Sequence, residues 1–251
     1  MSIKFKNVHK SFGNKKVLKG ITMQVQKGEI LFVIGTSGVG KSVTIKHIIG
    51  LLKPTSGSIE VDGKKVEHLK EKQFIPIRKK VAMVFQSSSL FDSLNVLANI
   101  ALPLEKHKIV PGDKIQDKAM QLLTEVGMEK YASVFPSEIG DGMKKRVAIA
   151  RALAMQPDYI LFDEPTTGLD PVSARRVDKL ILRLAKDRGT GTIVVSHDLP
   201  SIFGISDKIA MVYQGKIYFE GSREEYQLSK DPIIQQFIKG TSSGPMETPG
   251  F

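Results

Sequence analysis

A chain of 251 residues, 41% hydrophobic and 25% charged, has the length and balance of one or two packed globular domains. It has no cysteine, which excludes disulfides, thiolate metal sites and thiol nucleophiles and fits a reducing compartment. No run of eighteen apolar residues is present and the start, Met1 to Lys6, lacks an apolar signal core, so neither a membrane span nor secretion is expected.

Residues 3–8 and 17–25 alternate as half-buried strands do, split by the turn cluster Ser11-Phe12-Gly13-Asn14. Residues 29–34 read as a buried strand (Ile30, Leu31, Phe32, Val33, Ile34), followed by a glycine-rich stretch at 35–42 and a helix over 43–50. Lys53-Pro54-Thr55-Ser56-Gly57 is a loop, and 58–61 with 64–66 form a hairpin around Asp62-Gly63. A further buried strand, 81–85, ends at Gln86. From about residue 88 to 156 the pattern turns helical. Ile115, Ala119, Leu122, Leu123 and Val126 share one helix face, with Asp113 as its expected N-cap, and 143–155 is a second, buried helix. Strands return at 159–162, 192–196, 208–212 and 216–219, with a helix over 172–186. The tail, 241–251, is rich in Gly, Ser and Pro and is expected to be flexible by itself. The sum is an α/β core interrupted by a helical insertion of roughly seventy residues.

The net charge of +11 is dispersed, with Lys4, Lys6, Lys10, Lys15, Lys16, Lys19 and Lys27 spread along the first strands. Aromatic residues are few and tryptophan is absent, so no base-stacking platform is indicated. A solvated basic surface near anionic lipid is favoured over a nucleic-acid groove.

The stretch Gly35-Thr36-Ser37-Gly38-Val39-Gly40-Lys41-Ser42 matches G-x-x-x-x-G-K-[ST], a pattern expected by chance in about one chain in a hundred of this length. Its position between a buried strand and a helix is the context the motif requires. Glycines let backbone N–H groups turn inward as an anion nest, and the helix start adds a positive dipole end. Lys41 would reach the β- and γ-phosphates of a nucleotide, and the Ser42 hydroxyl would ligate Mg²⁺. Residues 35–43, Val43 included, are therefore the candidates for binding ATP. Asp163 and Glu164 end the strand at 159–162, where open α/β sheets bind ligands. Asp163 is the candidate metal ligand, and Glu164 the candidate base for the attacking water. His197 follows another strand and could reach the γ-phosphate, and Gln86 could touch the metal-bound water. Phe12 could stack on adenine or belong to a small satellite core.

In this order these residues resemble the ATP-binding cassette ATPases over residues 3–239. Residues 35–42 look like Walker A, 159–164 like Walker B, Gln86 like the Q-loop, Thr167-Gly168-Leu169-Asp170 like the D-loop and His197 like the switch histidine. The resemblance implies a P-loop NTPase fold: a RecA-like core sheet with an N-terminal antiparallel β subdomain, plus an inserted α-helical subdomain. It divides the ATPase domain, 1–240, into a core (1–87 and 157–225) and a helical part (88–156), with 226–251 a C-terminal helix and tail. The family signature Leu-Ser-Gly-Gly-Gln is replaced by Ile139-Gly140-Asp141-Gly142-Met143. Gly140, Asp141 and Gly142 would still face a partner's nucleotide through backbone and helix dipole, with Lys144, Lys145 and Arg146 offsetting the new carboxylate. Hydrolysis is then expected to be slow or partner-dependent.

Within the superfamily the chain is most similar to the ATPase subunits of Mla/Mce-type lipid transporters. The stretches around Val84 to Leu94, Asn99 and Leu102-Pro103-Leu104, the run Gly38 to Pro54, Met143, and the tail at Gln236-Phe237 and Gly244-Pro245 carry that similarity. It implies a head-to-tail homodimer whose tails grip each other, on the cytoplasmic face of the inner membrane. A separate integral-membrane permease and an MCE-type lipid-binding protein complete the complex. Leu90, Phe91 and Leu94 are the expected permease contacts, or else ordinary core. A motor for another cargo, a weakly hydrolysing regulatory cassette, and a non-transport cassette are the alternatives. The last lacks the zinc or coiled-coil insertion, or second P-loop, that it would need.

Overall fold

The computed structural model describes residues 1–246. Two antiparallel strands, β1 (Ser2–Phe12) and β2 (Lys15–Gln26), lead to β3 (Ile30–Ile34) and a short helix α1 (Lys41–Lys46). Then come β4 (Ser56–Val61), β5 (Lys64–Lys65), α2 (Glu71–Lys80) and β6 (Val81–Val84). The helical stretch holds α3 (Val96–Lys106), α4 (Ile115–Glu125) and α5 (Asp141–Leu153). The chain continues through β7 (Tyr159–Asp163), α6 (Pro171–Arg188), β8 (Gly191–Val195), α7 (Leu199–Ile205), β9 (Lys208–Tyr213), β10 (Lys216–Ser222), α8 (Arg223–Leu228) and α9 (Pro232–Lys239).

A four-stranded sheet runs β2-β1-β4-β5, all antiparallel. A six-stranded sheet runs β10-β9-β3-β8-β7-β6, parallel except for β10 at its edge. Every residue of β3, β7 and β8 is buried, as expected for parallel strands covered on both faces. Alternation divides their side chains between two cores. Ile30, Phe32, Ile34, Ile160 and Phe162 join the cluster under α3–α6, while Leu31, Val33, Leu161 and Ile193 join the cluster under the antiparallel sheet, α1 and α2.

Several local expectations are corrected. The P-loop helix ends at Lys46, with turn hydrogen bonds taking over to Gly50. Asp113 is not a cap: Gly112–Lys114 forms a 3₁₀ turn, and Lys114 precedes α4 without a side-chain bond. Helix α2, with Pro76 inside it, escaped the pattern because internal proline reads as a breaker, whereas α3, which also contains a proline, Pro103, falls within the expected helical stretch. The first part of the tail is docked: Met246 is buried, and its N–H donates to Gln236 Oε1 at 2.7 Å. Residues 247–251 of the tail lie outside the described residues.

His47 follows α1 and is 1% exposed; its Nδ1 donates to Val43 O at 2.6 Å, and its Nε2 has no hydrogen-bond partner among the described residues. Burial holds its pKa below the usual 6.5, and nearby Lys10 pushes the same way. The unfolded chain therefore takes up a proton that the fold refuses. This stability term is present above about pH 6.5 and is lost as pH falls toward the lowered folded value. Stability measured by urea unfolding is expected to drop on acidification through that window, with a flatter profile in His47→Gln.

Candidate functional site

The loop after β3 needs glycine at two points. Gly35 has φ +139°, and a Cβ there would lie 2.2 Å from Val212 O. Gly40 has φ +106°, and its Cβ would lie 2.6 Å from Leu18 Cδ2. The loop so formed closes on Lys41, 8% exposed, whose Nζ donates to Gly35 O (2.8 Å) and Thr36 O (2.9 Å). Burial lowers the Lys41 pKa, with Glu164 and Asp163 opposing. The ammonium is thus poorly solvated and suited to an added anion.

Sheet register brings the acids to this loop. Val33 pairs with Val195, and Val195 with Asp163, so the ends of β3, β8 and β7 share one row. Ser42 Oγ donates to Asp163 Oδ1 at 2.5 Å, and Lys46 Nζ lies 3.9 Å from Asp163 Oδ2. Glu164 turns away from Asp163 through a left-handed φ of +51°. For a residue other than glycine that conformation costs on the order of 1–3 kcal/mol, and such strain concentrates at working sites. Its N–H is held by Val195 O (2.9 Å). Its Oε2 accepts from Thr167 Oγ1 (2.9 Å) and lies 2.9 Å from His197 Nδ1.

Lys41, Ser42, Glu164 and His197 open onto a cleft of about 460 Å³ also lined by Phe12, Lys15, Val17, Ser37, Gly38, Gly40, Val43 and Gln86, while Asp163, 5% exposed, is not in its lining and meets it through Ser42. Phe12 is 45% exposed at the mouth, with Lys10 Nζ 4.8 Å from its ring centroid, so it is not part of a satellite core. Gly35 and Thr36 face the site through carbonyls, and Val39 is buried in the core beneath it. Gly140, the N-cap of α5, with Asp141, Gly142 and Asp170, do not line this cleft. Asp170 instead caps α6, accepting from Val172 N and Ser173 N at 2.9 and 3.0 Å.

Other residues have ties at the site that the sequence did not assign, among them Lys145, expected only to offset Asp141, and Thr167, expected only as part of the D-loop. Lys145, 3% exposed on α5, donates to Gln86 O, and burial lowers its pKa against the pull of Asp141, Asp163 and Glu164. Arg151, two turns on, donates to Ser89 O (2.8 Å) and Ser88 O (3.2 Å), so α5 holds the backbone of the Gln86 loop at three carbonyls. Arg175 on α6 forks between Asp178 (2.7 Å) and Asp198 (2.5 Å), the residue after His197. Thr167, Lys15 and Val17 complete the surroundings. Lysine and arginine in amphipathic helices read as solvent-facing, so only tertiary contacts reveal these ties.

A phosphate nest, a buried lysine, a serine hydroxyl against a carboxylate and a second, histidine-bound carboxylate are the parts of a nucleotide hydrolase. Residues 18–167 match the ABC transporter family model. The chain belongs to the ABC transporter family. It is similar to the intermembrane phospholipid transport system ATP-binding protein MlaF of Haemophilus influenzae, 37% identical over 97% of this chain and 92% of that protein. A probable ribonucleotide transport ATP-binding protein, mkl of Mycobacterium leprae, is 35% identical over 98% of this chain and 71% of its own. Among solved structures, the dimeric ATP-binding cassette MJ0796, bound to ADP and phosphate, superposes with a TM-score of 0.81 at 31% identity, covering 88% of this chain and 98% of that one. The protein is an ATP-binding and ATP-hydrolysing subunit of an ABC transporter.

Glu164→Gln keeps the shape and the Thr167 contact but cannot accept a proton. Steady-state phosphate release is expected to fall about 10²–10⁴-fold, while titration of the cleft with an ATP analogue gives affinity close to that of the parent.

Proposed function

We propose that this chain powers phospholipid movement between the inner membrane and the envelope, as the ATPase of an Mla/Mce-type transporter. The observation that carries this reading is the near full-length similarity to MlaF. In the proposed site, the loop amides of residues 35–43 and the Lys41 ammonium hold the phosphates, and Phe12 stacks on the adenine. The donor set fits Mg²⁺: a hydroxyl and a carboxylate already in contact, with Gln86 facing the same cleft. Bound there by Ser42, Asp163 and Gln86, the ion would neutralise charge on the phosphate oxygens. Glu164, oriented by Thr167 and His197, accepts the proton of the attacking water. His197, with its side chain 62% exposed, presents its other ring nitrogen to the γ-phosphate.

Gly140, Asp141, Gly142 and Asp170 lie away from their own cleft, which supports a head-to-tail homodimer in which each signature loop completes the partner's site. No helix among the described residues is long and apolar enough to cross a membrane. We therefore place the chain peripherally, on the cytoplasmic face of the inner membrane, with a permease and an MCE-type lipid-binding protein and no nucleic acid. In this reading residues 88–156 form the helical subdomain that receives the permease. A hollow of about 460 Å³ between β6, α3 and α5 offers the seat, rimmed by Phe85, Phe91, Leu102, Pro103 and Met155. Of the three expected contacts, Phe91 is 51% exposed and lines it, whereas Leu90 packs partly against the core and Leu94 is half-buried outside it. The similarity to mkl favours a second reading, a ribonucleotide cargo.

Purification of the full chain from native membranes in mild detergent is expected to recover a permease, an MCE-type protein and phospholipid. Recovery of a ribonucleotide-binding partner without phospholipid would favour the second reading, and Phe91→Glu is expected to lose the permease. The altered signature makes its own prediction. A Cβ at Gly140 meets no atom within 4 Å, so Gly140→Ser with Asp141→Gly fits without strain. That pair is expected to raise kcat several-fold, and an unchanged ATPase rate would remove the proposed brake.

A further inference from the structure

Helices α5 and α6 start at the signature and D-loop segments, and their second turns meet the end of α4 around a hollow of about 420 Å³. Its wall carries Arg146 from α5 and Arg176, Lys179 and Arg183 from α6. Two of these cations have a local task. Arg146 NH1 donates to Val126 O (3.0 Å) and Gly127 O (3.1 Å), and Arg183 donates to Glu125 O, so together they satisfy the last carbonyls of α4. Their charge is not neutralised by that. The one carboxylate in the wall, Glu125, is paired outward with Arg188 at 2.5 Å. Arg176 and Lys179 make no hydrogen bond or ion pair among the described residues.

The concentration is specific to this place. Of the eight arginines in the sequence, Arg78, Arg175, Arg188 and Arg223 each have a carboxylate within 4.0 Å. The remaining four are Arg146, Arg151, Arg176 and Arg183, and three of them line this hollow. Burial lowers the Arg146 pKa, and repulsion from Arg176 adds to it, against weaker attraction from Tyr131 and Glu129. Folding thus accepts like-charge repulsion where a single acidic residue would have relieved it, and conflicts of this kind mark binding sites more often than scaffold.

We propose that the hollow binds a phosphate-bearing anion, held by Arg176 and Lys179 with Arg146 and Arg183 behind them. Guanidinium forks match phosphate oxygens two at a time, and the concave wall limits screening. The occupant would bridge α5 and α6 and brace the helical segment against the sheet core. Its phosphate could come from a soluble compound or from a lipid headgroup, and both present the same chemistry.

The test uses the full chain saturated with ADP and Mg²⁺, so that the P-loop is closed to competitors. Pyrophosphate is titrated by calorimetry at low salt, and binding to phosphatidylcholine vesicles with and without phosphatidylglycerol is measured by flotation. The comparison is with Arg176→Glu/Lys179→Glu, with the neutral pair Arg176→Gln/Lys179→Gln, and with Lys64→Glu, an exposed charge reversal far from the hollow. Pyrophosphate binding weakened about tenfold or more in both pairs but not in Lys64→Glu supports the site with a soluble occupant. Loss confined to phosphatidylglycerol vesicles supports it with a lipid headgroup. If the parent binds neither probe, or if both pairs bind as the parent does, the proposal is wrong. Thermal unfolding of each variant shows whether it is folded, and the neutral pair keeps the test valid if charge reversal disturbs α6.

Discussion

The 2.5 Å hydrogen bond from Ser42 to Asp163 ties the start of α1, which follows β3, to the end of β7, and β3 and β7 are not neighbours but flank β8. It forms only if all three strands are in register, with Val33, Val195 and Asp163 in one row. A slip of one residue in β7 would turn Asp163 to the opposite face and present Phe162 to the cleft. The two cores prevent that slip, because each strand feeds alternate side chains into both. The Ser42–Asp163 pair is therefore a consequence of how the parallel sheet is buried. No loop has to search for the geometry.

Around this pair the fold places charge in deficit. Lys41 and Lys145 are both nearly buried, both have lowered pKa values through burial, and both lean on Asp163 and Glu164. With Lys46 3.9 Å from Asp163, three lysines face the two carboxylates before any nucleotide arrives. The phosphates of ATP add negative charge that the loop amides and the start of α1 would meet, and the proposed Mg²⁺ would offset the remainder. Lys145 links this electrostatics to mechanics. It hangs from α5, the helix that begins with the signature segment, and grips the carbonyl of Gln86. A shift of α5 thus moves the Gln86 loop directly.

Much of the core site was legible in the sequence because its chemistry is local. The nest needs its glycines, lysine and serine contiguous, and Asp163 and Glu164 follow one unbroken apolar strand. The parallel strands were legible for the same reason, as continuous apolar runs. What was hidden depends on partners far away in the chain. Lys145 and Arg151 sit in a helix whose polar residues look solvent-facing, and only the fold puts Gln86, Ser88 and Ser89 beside them. Helix α2 was masked by Pro76, while α3 lay within the stretch that read as helical despite Pro103. Asp113 failed as a cap because the 3₁₀ turn it joins delays the helix to Ile115.

The altered signature shows how one residue serves two conflicting demands. Asp141 is the first residue of α5, where a carboxylate favours its own helix dipole by about 0.3–1 kcal/mol. The same N-terminus is the surface that should meet a second molecule's phosphates, and there the carboxylate repels. Lys144, 3.6 Å away, can be shared between the two, but its pairing with Asp141 must loosen before it turns to a phosphate. Gly140 offers no hydroxyl to help. Asp141 thus gives the subunit a firmer helix, and in the proposed head-to-tail dimer it would weaken attraction toward the partner's nucleotide. Closure of the site would then lean more on other contacts, among them those with a permease, and hydrolysis in the proposed complex would be slow until the subunit is assembled.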